Sequence, residues 1–171
     1  MGADTRNVLN LSDDSKDPRA KFLGNLAWRP LVVTGVRAQC VDGFAQALRF
    51  NHEDPRRAQA LTLSGNEARA YRQHRPEGGW AYWDNRRLVW GSPEHLQFLE
   101  AAVRASFLFN PVALALLFST RGTELIYEPE TLAYVPFPGE RLCRVLESIR
   151  DEGKPEIIAH QMAQLRLIRV K

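Results

Sequence analysis

The chain has 171 residues, 44% of them hydrophobic, and carries 23 basic against 20 acidic residues for a formal charge of +3. That length supports one domain with its own core and excludes any need for disulfide or metal staples. The charge is too mild for a histone-like polyanion binder but permits a phosphate-bearing ligand. Met1-Gly-Ala-Asp-Thr-Arg6 has no apolar leader core, and no run approaches the roughly 18 apolar residues a membrane span needs, so a soluble, untargeted, cytoplasmic protein without membrane contact is expected.

In chain order, Val8 to Leu11 reads as a strand within a polar opening that contains Asp13-Asp14 and Lys16-Asp17-Pro18, the latter read as loop. Leu31 to Ala38 predicts a hairpin turning at Thr34-Gly35. An amphipathic helix follows from about Val41 to Phe50, and 3.6 residues per turn put Asp42, Gln46 and Arg49 on one stripe. An acid, an amide and a guanidinium aligned in this way could form a site. A first-turn carboxylate and a last-turn arginine are also what the helix dipole favours, with no ligand involved.

Asp54-Pro55 predicts an N-cap and N1 pair, and Ser64-Gly-Asn-Glu67 spells a capping box for the next helix. Between Arg69 and Arg87, arginines interleave with Tyr71, Trp80, Tyr82 and Trp83, which suits either a base-stacking surface or an ordinary exposed hairpin across Asp84-Asn85. Ser92-Pro93-Glu94 opens a helix with Leu96, Leu99, Val103 and Phe107 on its buried stripe. Asn110-Pro111 opens another, apolar on every side through Phe118 and therefore expected to be central. Glu124 to Tyr127 predicts a strand, and Leu142, Val145, Leu146 and Ile149 an amphipathic helix. Pro155 to Lys171 reads equally as helix or edge strand. The whole is expected to be α+β, mainly helical, with a small antiparallel sheet.

Phosphate-loop, dinucleotide, zinc-protease and nucleophile-elbow motifs are absent. His52, His74, His95 and His160 lack metal spacing and read as surface side chains, and Cys40 and Cys143 as buried helical thiols, so neither metal nor cofactor is expected.

The order of several segments resembles the NADAR (YbiA-like) family. These are Leu23-Gly-Asn25-Leu26, Val32-Val-Thr-Gly-Val36, Asp42-Gly43-Phe-Ala-Gln46-Ala-Leu-Arg49-Phe50, Ala102-Val-Arg-Ala-Ser-Phe-Leu-Phe-Asn110-Pro111, and Gly139-Glu-Arg141-Leu142 through Arg150. The resemblance spans about residues 8 to 152 and implies a single domain of YbiA-like fold over residues 1–171, with 153–171 as an extension. It implies hydrolysis of an N-glycosidic bond to a phosphorylated ribose, either ADP-ribose on guanine or a riboflavin-pathway intermediate. ADP-ribosylated nucleic acid is one candidate carrier. It further implies catalytic positions at Asp42 and Arg49 and ligand contacts at Asn25, Gln46, Trp90 and Arg141.

Departures from the family pattern fall at those same positions. The family glutamate is Asp42, its histidine Gly43 and its lysine Arg49, and the Trp-Gly element after the late strand is matched only by Leu132-Ala-Tyr134. Aspartate is one methylene shorter, and arginine cannot form a Schiff base near neutrality. Two readings stay open: an N-glycosidase working through Asp42 with Arg49 as an electrostatic aid, or a catalytically silent relative that binds an ADP-ribose-type ligand or a protein partner.

Overall fold

The computed structural model describes residues 7–74, 77–130 and 136–152. The expected element at 155–171 and the Leu132–Tyr134 segment lie outside these residues, as does Arg75. Among the described residues, six strands and seven α-helices run in the order β1 (Val8–Asn10), α1 (Pro18–Leu23), β2 (Leu31–Val33), β3 (Val36–Ala38), α2 (Val41–Ala47), α3 (Pro55–Leu61), α4 (Gly65–Tyr71), β4 (Trp80–Trp83), β5 (Arg86–Val89), α5 (Pro93–Leu108), α6 (Pro111–Ser119), β6 (Glu124–Ile126) and α7 (Gly139–Glu152).

Both expected hairpins form. Strands β2 and β3 pair antiparallel, as do β4 and β5. Each turns through two residues of positive φ, Thr34 and Gly35 (45° and 86°) and Asp84 and Asn85 (48° and 61°), the backbone twist that two-residue hairpins require. The third pair was not foreseen: β1 lies parallel to β6, with Leu9 opposite Leu125. The Asn10 side chain prolongs this ladder, its Nδ2 donating to the Glu128 carbonyl at 2.8 Å and its Oδ1 accepting from the Glu128 N–H at 3.0 Å.

Local capping chemistry sets most helix starts. Asp54 and Ser92 accept from Arg56 N–H and His95 N–H, each ahead of a proline in the first turn. Asp17-Pro18 carries the same signal, and α1 therefore stands where a loop was expected, with the Asp17 side chain accepting from Arg19 N–H. Helix α4 begins as predicted, but Ser64 makes no side-chain cap bond, so the capping box does not form.

The central helix is α2, not α6. Every residue of α2 is buried, whereas α6 buries only Ala113 and Leu117 and leaves Val112 71% exposed. An apolar composition on all sides did not place α6 inside, because helix burial depends on which neighbours the chain brings against it. Helix α2 lies against α3 so closely that a Cβ on Gly43 would come 2.7 Å from the Ala60 carbonyl oxygen and 3.0 Å from that of Leu63. Only a glycine permits this approach. Around α2 the main core gathers Leu9, Leu23, Leu31, Phe44, Trp83, Leu99, Phe107, Leu117, Leu142 and Ile149.

Buried arginines fasten the loops to this core. Arg29 donates to the Phe22 and Gly24 carbonyls at the end of α1 and lies 4.4 Å above the Phe107 ring. Burial lowers its pKa to about 10, so it stays charged near neutrality. Arg57 gathers the carbonyls of Ala47, Phe50 and Tyr82, the first two at the C-terminal end of α2, where orphan acceptors need a donor.

Of the basic and aromatic residues between positions 69 and 87, Arg86 and Arg87 are exposed, but Trp83 packs inward on Phe44 and Phe98. The hairpin thus turns Trp83 into the core and leaves Trp80, 37% exposed, on its outer side. Among the described residues no single helix is long and apolar enough to cross a membrane, and no three His, Cys, Asp or Glu side chains converge as a metal site would need.

Candidate functional site

The Asp42–Gln46–Arg49 stripe exists, but it is buried: the three residues are 2%, 0% and 2% exposed. Helix α2 therefore does not present an amphipathic face to solvent. Its polar stripe is buried among protein groups that satisfy it in part.

Asp42 stands in the first turn of α2, its N–H donating to the Asn25 carbonyl at 3.0 Å. Its carboxylate is clamped by Arg72. The Arg72 Nε–H is shared between Oδ1 at 3.1 Å and Oδ2 at 3.2 Å, and Nη2 donates to Oδ1 at 2.8 Å. Gln46 Nε2 adds a bond to Oδ2 at 3.2 Å, one helical turn along. Burial pushes the Asp42 carboxyl above its ordinary pKa, opposed by the Arg72 guanidinium and by the Arg72 and Gln46 hydrogen bonds. The Asp42 charge meanwhile holds Arg72 firmly protonated.

Arg72 is shared further. Its Nη1 donates to Asp13 Oδ2, so one guanidinium joins two carboxylates. Its backbone carbonyl, at the C-terminal cap of α4, accepts from Arg49 Nη1 at 3.2 Å, and the same nitrogen reaches the His74 carbonyl. Asp42 and Arg49 thus grip residue 72 from the side chain and from the backbone. Arg49 also lies over the Trp90 ring at 5.4 Å, and that ring stacks on His95 at 4.3 Å.

The other expected contacts divide. Asn25 is beside Asp42, and its own Oδ1 is buried with no hydrogen-bond partner among the described residues. Trp90 belongs to the Arg49 end of the stripe. Arg141 is elsewhere: its Nε ion-pairs with Glu100, and it lines a groove between α5 and α7 with Arg104, Arg144, Val145 and Ser148. His95, expected at the surface, is fully buried, with Nδ1 accepting from Gly91 N–H at 3.0 Å. Burial lowers its pKa to about 4. Both cysteines are buried as expected, but only Cys143 is within a helix; Cys40 caps α2, its Sγ accepting from Gly43 N–H at 3.2 Å.

A cleft of about 450 Å³ opens on the Asp13 side of this network. Its walls are the β1–α1 segment (Leu11, Ser12, Asp13), α1 and its exit (Ala20, Lys21, Gly24, Leu26, Ala27) and the start of α4 (Gly65, Asn66, Arg69). Arg69 is held at the wall by Asp14 at 2.8 Å. The cleft combines two cations, an acid and an apolar floor, a composition suited to a small anionic ligand with polar hydroxyls.

Arg72, Asp13 and the cleft were not anticipated from the sequence. Arg72 is 30 residues from Asp42 and 59 from Asp13, and no local pattern joins positions so far apart. The one available signal, Asp17-Pro18 as a helix start, would have placed α1 and hence the cleft wall.

No family model matches the chain, and no curated protein does. Among solved structures, the NMR structure of the E. coli protein YbiA is similar over 87% of this chain and 89% of that one, with a TM-score of 0.57 and 19% identity. At that identity the likeness speaks for the fold alone: this chain has a YbiA-like, mainly helical α+β fold.

Proposed function

We propose that the chain is a NADAR-like module that binds a phosphorylated ribosyl ligand of the ADP-ribose type in the Asp13–Arg69 cleft and does not hydrolyse it. The observation that carries this reading is the sequestration of Asp42. A general acid or base must reach the proton it transfers, within hydrogen-bond distance or through one water. Asp42 is 2% exposed, and both its oxygens are occupied by Arg72 and Gln46. Two further facts support silence: Gly43 has no room for the family's histidine, and Arg49 is committed to the carbonyls of Arg72 and His74. The cleft supports binding, with Lys21 and Arg69 available to phosphate and Leu11, Leu26 and Ala27 to a ring face.

The test is calorimetric titration with ADP-ribose, combined with a base-release assay on DNA ADP-ribosylated at guanine. Saturable binding without release is the expected result. Release that disappears in Asp42→Asn while binding persists would overturn it in favour of the hydrolase.

One observation favours that second reading, an N-glycosidase of the same ligand class. Burial raises the Asp42 pKa, as a general acid working near neutrality requires. On this reading the double change Asp42→Glu with Arg49→Lys lowers an existing turnover. On the silent reading it creates turnover or leaves none.

A further inference from the structure

We infer that Asp13, and not Asp42, is the acid that meets the ligand, and that it accepts hydrogen bonds from the vicinal hydroxyls of a ribose. This rests on the cleft being the binding site proposed above. Asp13 lines that cleft with its side chain 11% exposed, whereas Asp42 lies behind it. Its Oδ2 accepts from Arg72 Nη1, and its Oδ1 has no hydrogen bond among the described residues. One guanidinium between two carboxylates leaves an excess of negative charge and of acceptor lone pairs, and the acceptor open to the cleft belongs to Asp13.

Such an acceptor calls for a cation or for hydroxyl donors. The cleft walls already carry Lys21 and Arg69, which disfavour a second cation but attract an anion. A neutral diol attached to a phosphate satisfies both requirements: hydroxyls on Asp13, phosphate on Lys21 or Arg69. Arg72 is then a positioning residue that fixes the Asp13 carboxylate, with Asp42 and Gln46 holding Arg72 from the opposite side. The unpartnered buried Oδ1 of Asn25, between the lining residues Gly24 and Leu26, marks the same wall as under-satisfied.

The experiment compares the affinities of ribose 5-phosphate and 2-deoxyribose 5-phosphate, with ADP-ribose as reference, for the wild type and Asp13→Asn. The wild type is expected to prefer the ribose on the order of tenfold, the effect of one charge-assisted hydrogen bond. In Asp13→Asn that preference should collapse to about twofold or less. If Asp13 serves only as a counter-ion to Arg72, the variant weakens both sugars equally and keeps the ratio, which overturns the inference. Should the variant not fold, the wild type still decides, since equal affinity for the two sugars overturns it as well. Absence of binding to all three compounds sinks the binding reading itself, an outcome distinct from binding without discrimination.

Discussion

Replacing Arg72 by Met removes the guanidinium that clamps Asp42 while keeping a side chain of similar length. Arg72 and Asp42 have side chains 8% and 2% exposed, and three N–H to oxygen contacts of 2.8 to 3.2 Å join them. Breaking a buried pair by removing one partner costs about 3–5 kcal/mol, because the remaining charge has lost its water and its counter-ion. In a chain of this length that corresponds to roughly 6–20 °C in Tm. Asp13, whose side chain is 11% exposed, loses the same guanidinium and adds to the deficit. The pH dependence has a definite sign. Burial raises the folded-state pKa of Asp42, so its contribution is most favourable at low pH and is lost as pH rises through that value. Without Arg72 the rise is larger, and the deficit of the variant should shrink on acidification. Circular dichroism melts and urea titrations at several pH values measure this. The double variant Asp42→Asn with Arg72→Met should be more stable than the sum of the two single losses by about 1–3 kcal/mol. A single variant within about 0.5 kcal/mol of the wild type, a change usual for surface substitutions, or strict additivity, would refute the reasoning.

Gly43→Ala should destabilise by about 1–3 kcal/mol in chemical denaturation, since its Cβ meets backbone oxygens that cannot rotate away; an unchanged midpoint would mean α2 and α3 separate freely. His95 has a folded pKa of about 4 against the ordinary imidazole value of 6.5, a depressed value whose contribution is complete above 6.5 and is lost as pH falls through about 4. That loss is on the order of 3 kcal/mol, and His95→Gln, which keeps an acceptor for Gly91 N–H but does not titrate, should flatten stability between those pH values. Arg49→Ala should lower Tm more than it lowers ADP-ribose affinity, because Arg49 serves the carbonyls after α4; a large affinity loss at unchanged Tm would instead place it on the ligand.

Much of the fold was legible because its signals are local. The two hairpins follow from Thr34-Gly35 and Asp84-Asn85, which accept the positive φ that these turns need. The starts of α3, α5 and α6 follow from Asp54-Pro55, Ser92-Pro93 and Asn110-Pro111, since a first-turn proline forfeits no helical hydrogen bond. Asp17-Pro18 is legible by the same chemistry, although the polar residues around it read as loop. The spacing of Asp42, Gln46 and Arg49 likewise sufficed to put them on one stripe, as helical geometry dictates.

What that stripe faces was decided only by tertiary structure. Periodicity reports which residues share a side, and it does not report whether the side meets water, a ligand or another guanidinium. Arg72 arrives at Asp42 from 30 residues away and brings Asp13 with it. The parallel pairing of β1 with β6 joins positions more than 110 residues apart, with Asn7 bonded to Thr123 beside it. The apolar α6 was left at the surface and the polar-striped α2 taken into the centre, because burial is settled by the full set of neighbours and by one glycine that lets α3 approach. Sequence determined the elements and their caps, whose physics is short-ranged; the assembled chain determined which acid is sealed and which faces the cleft, whose physics is not.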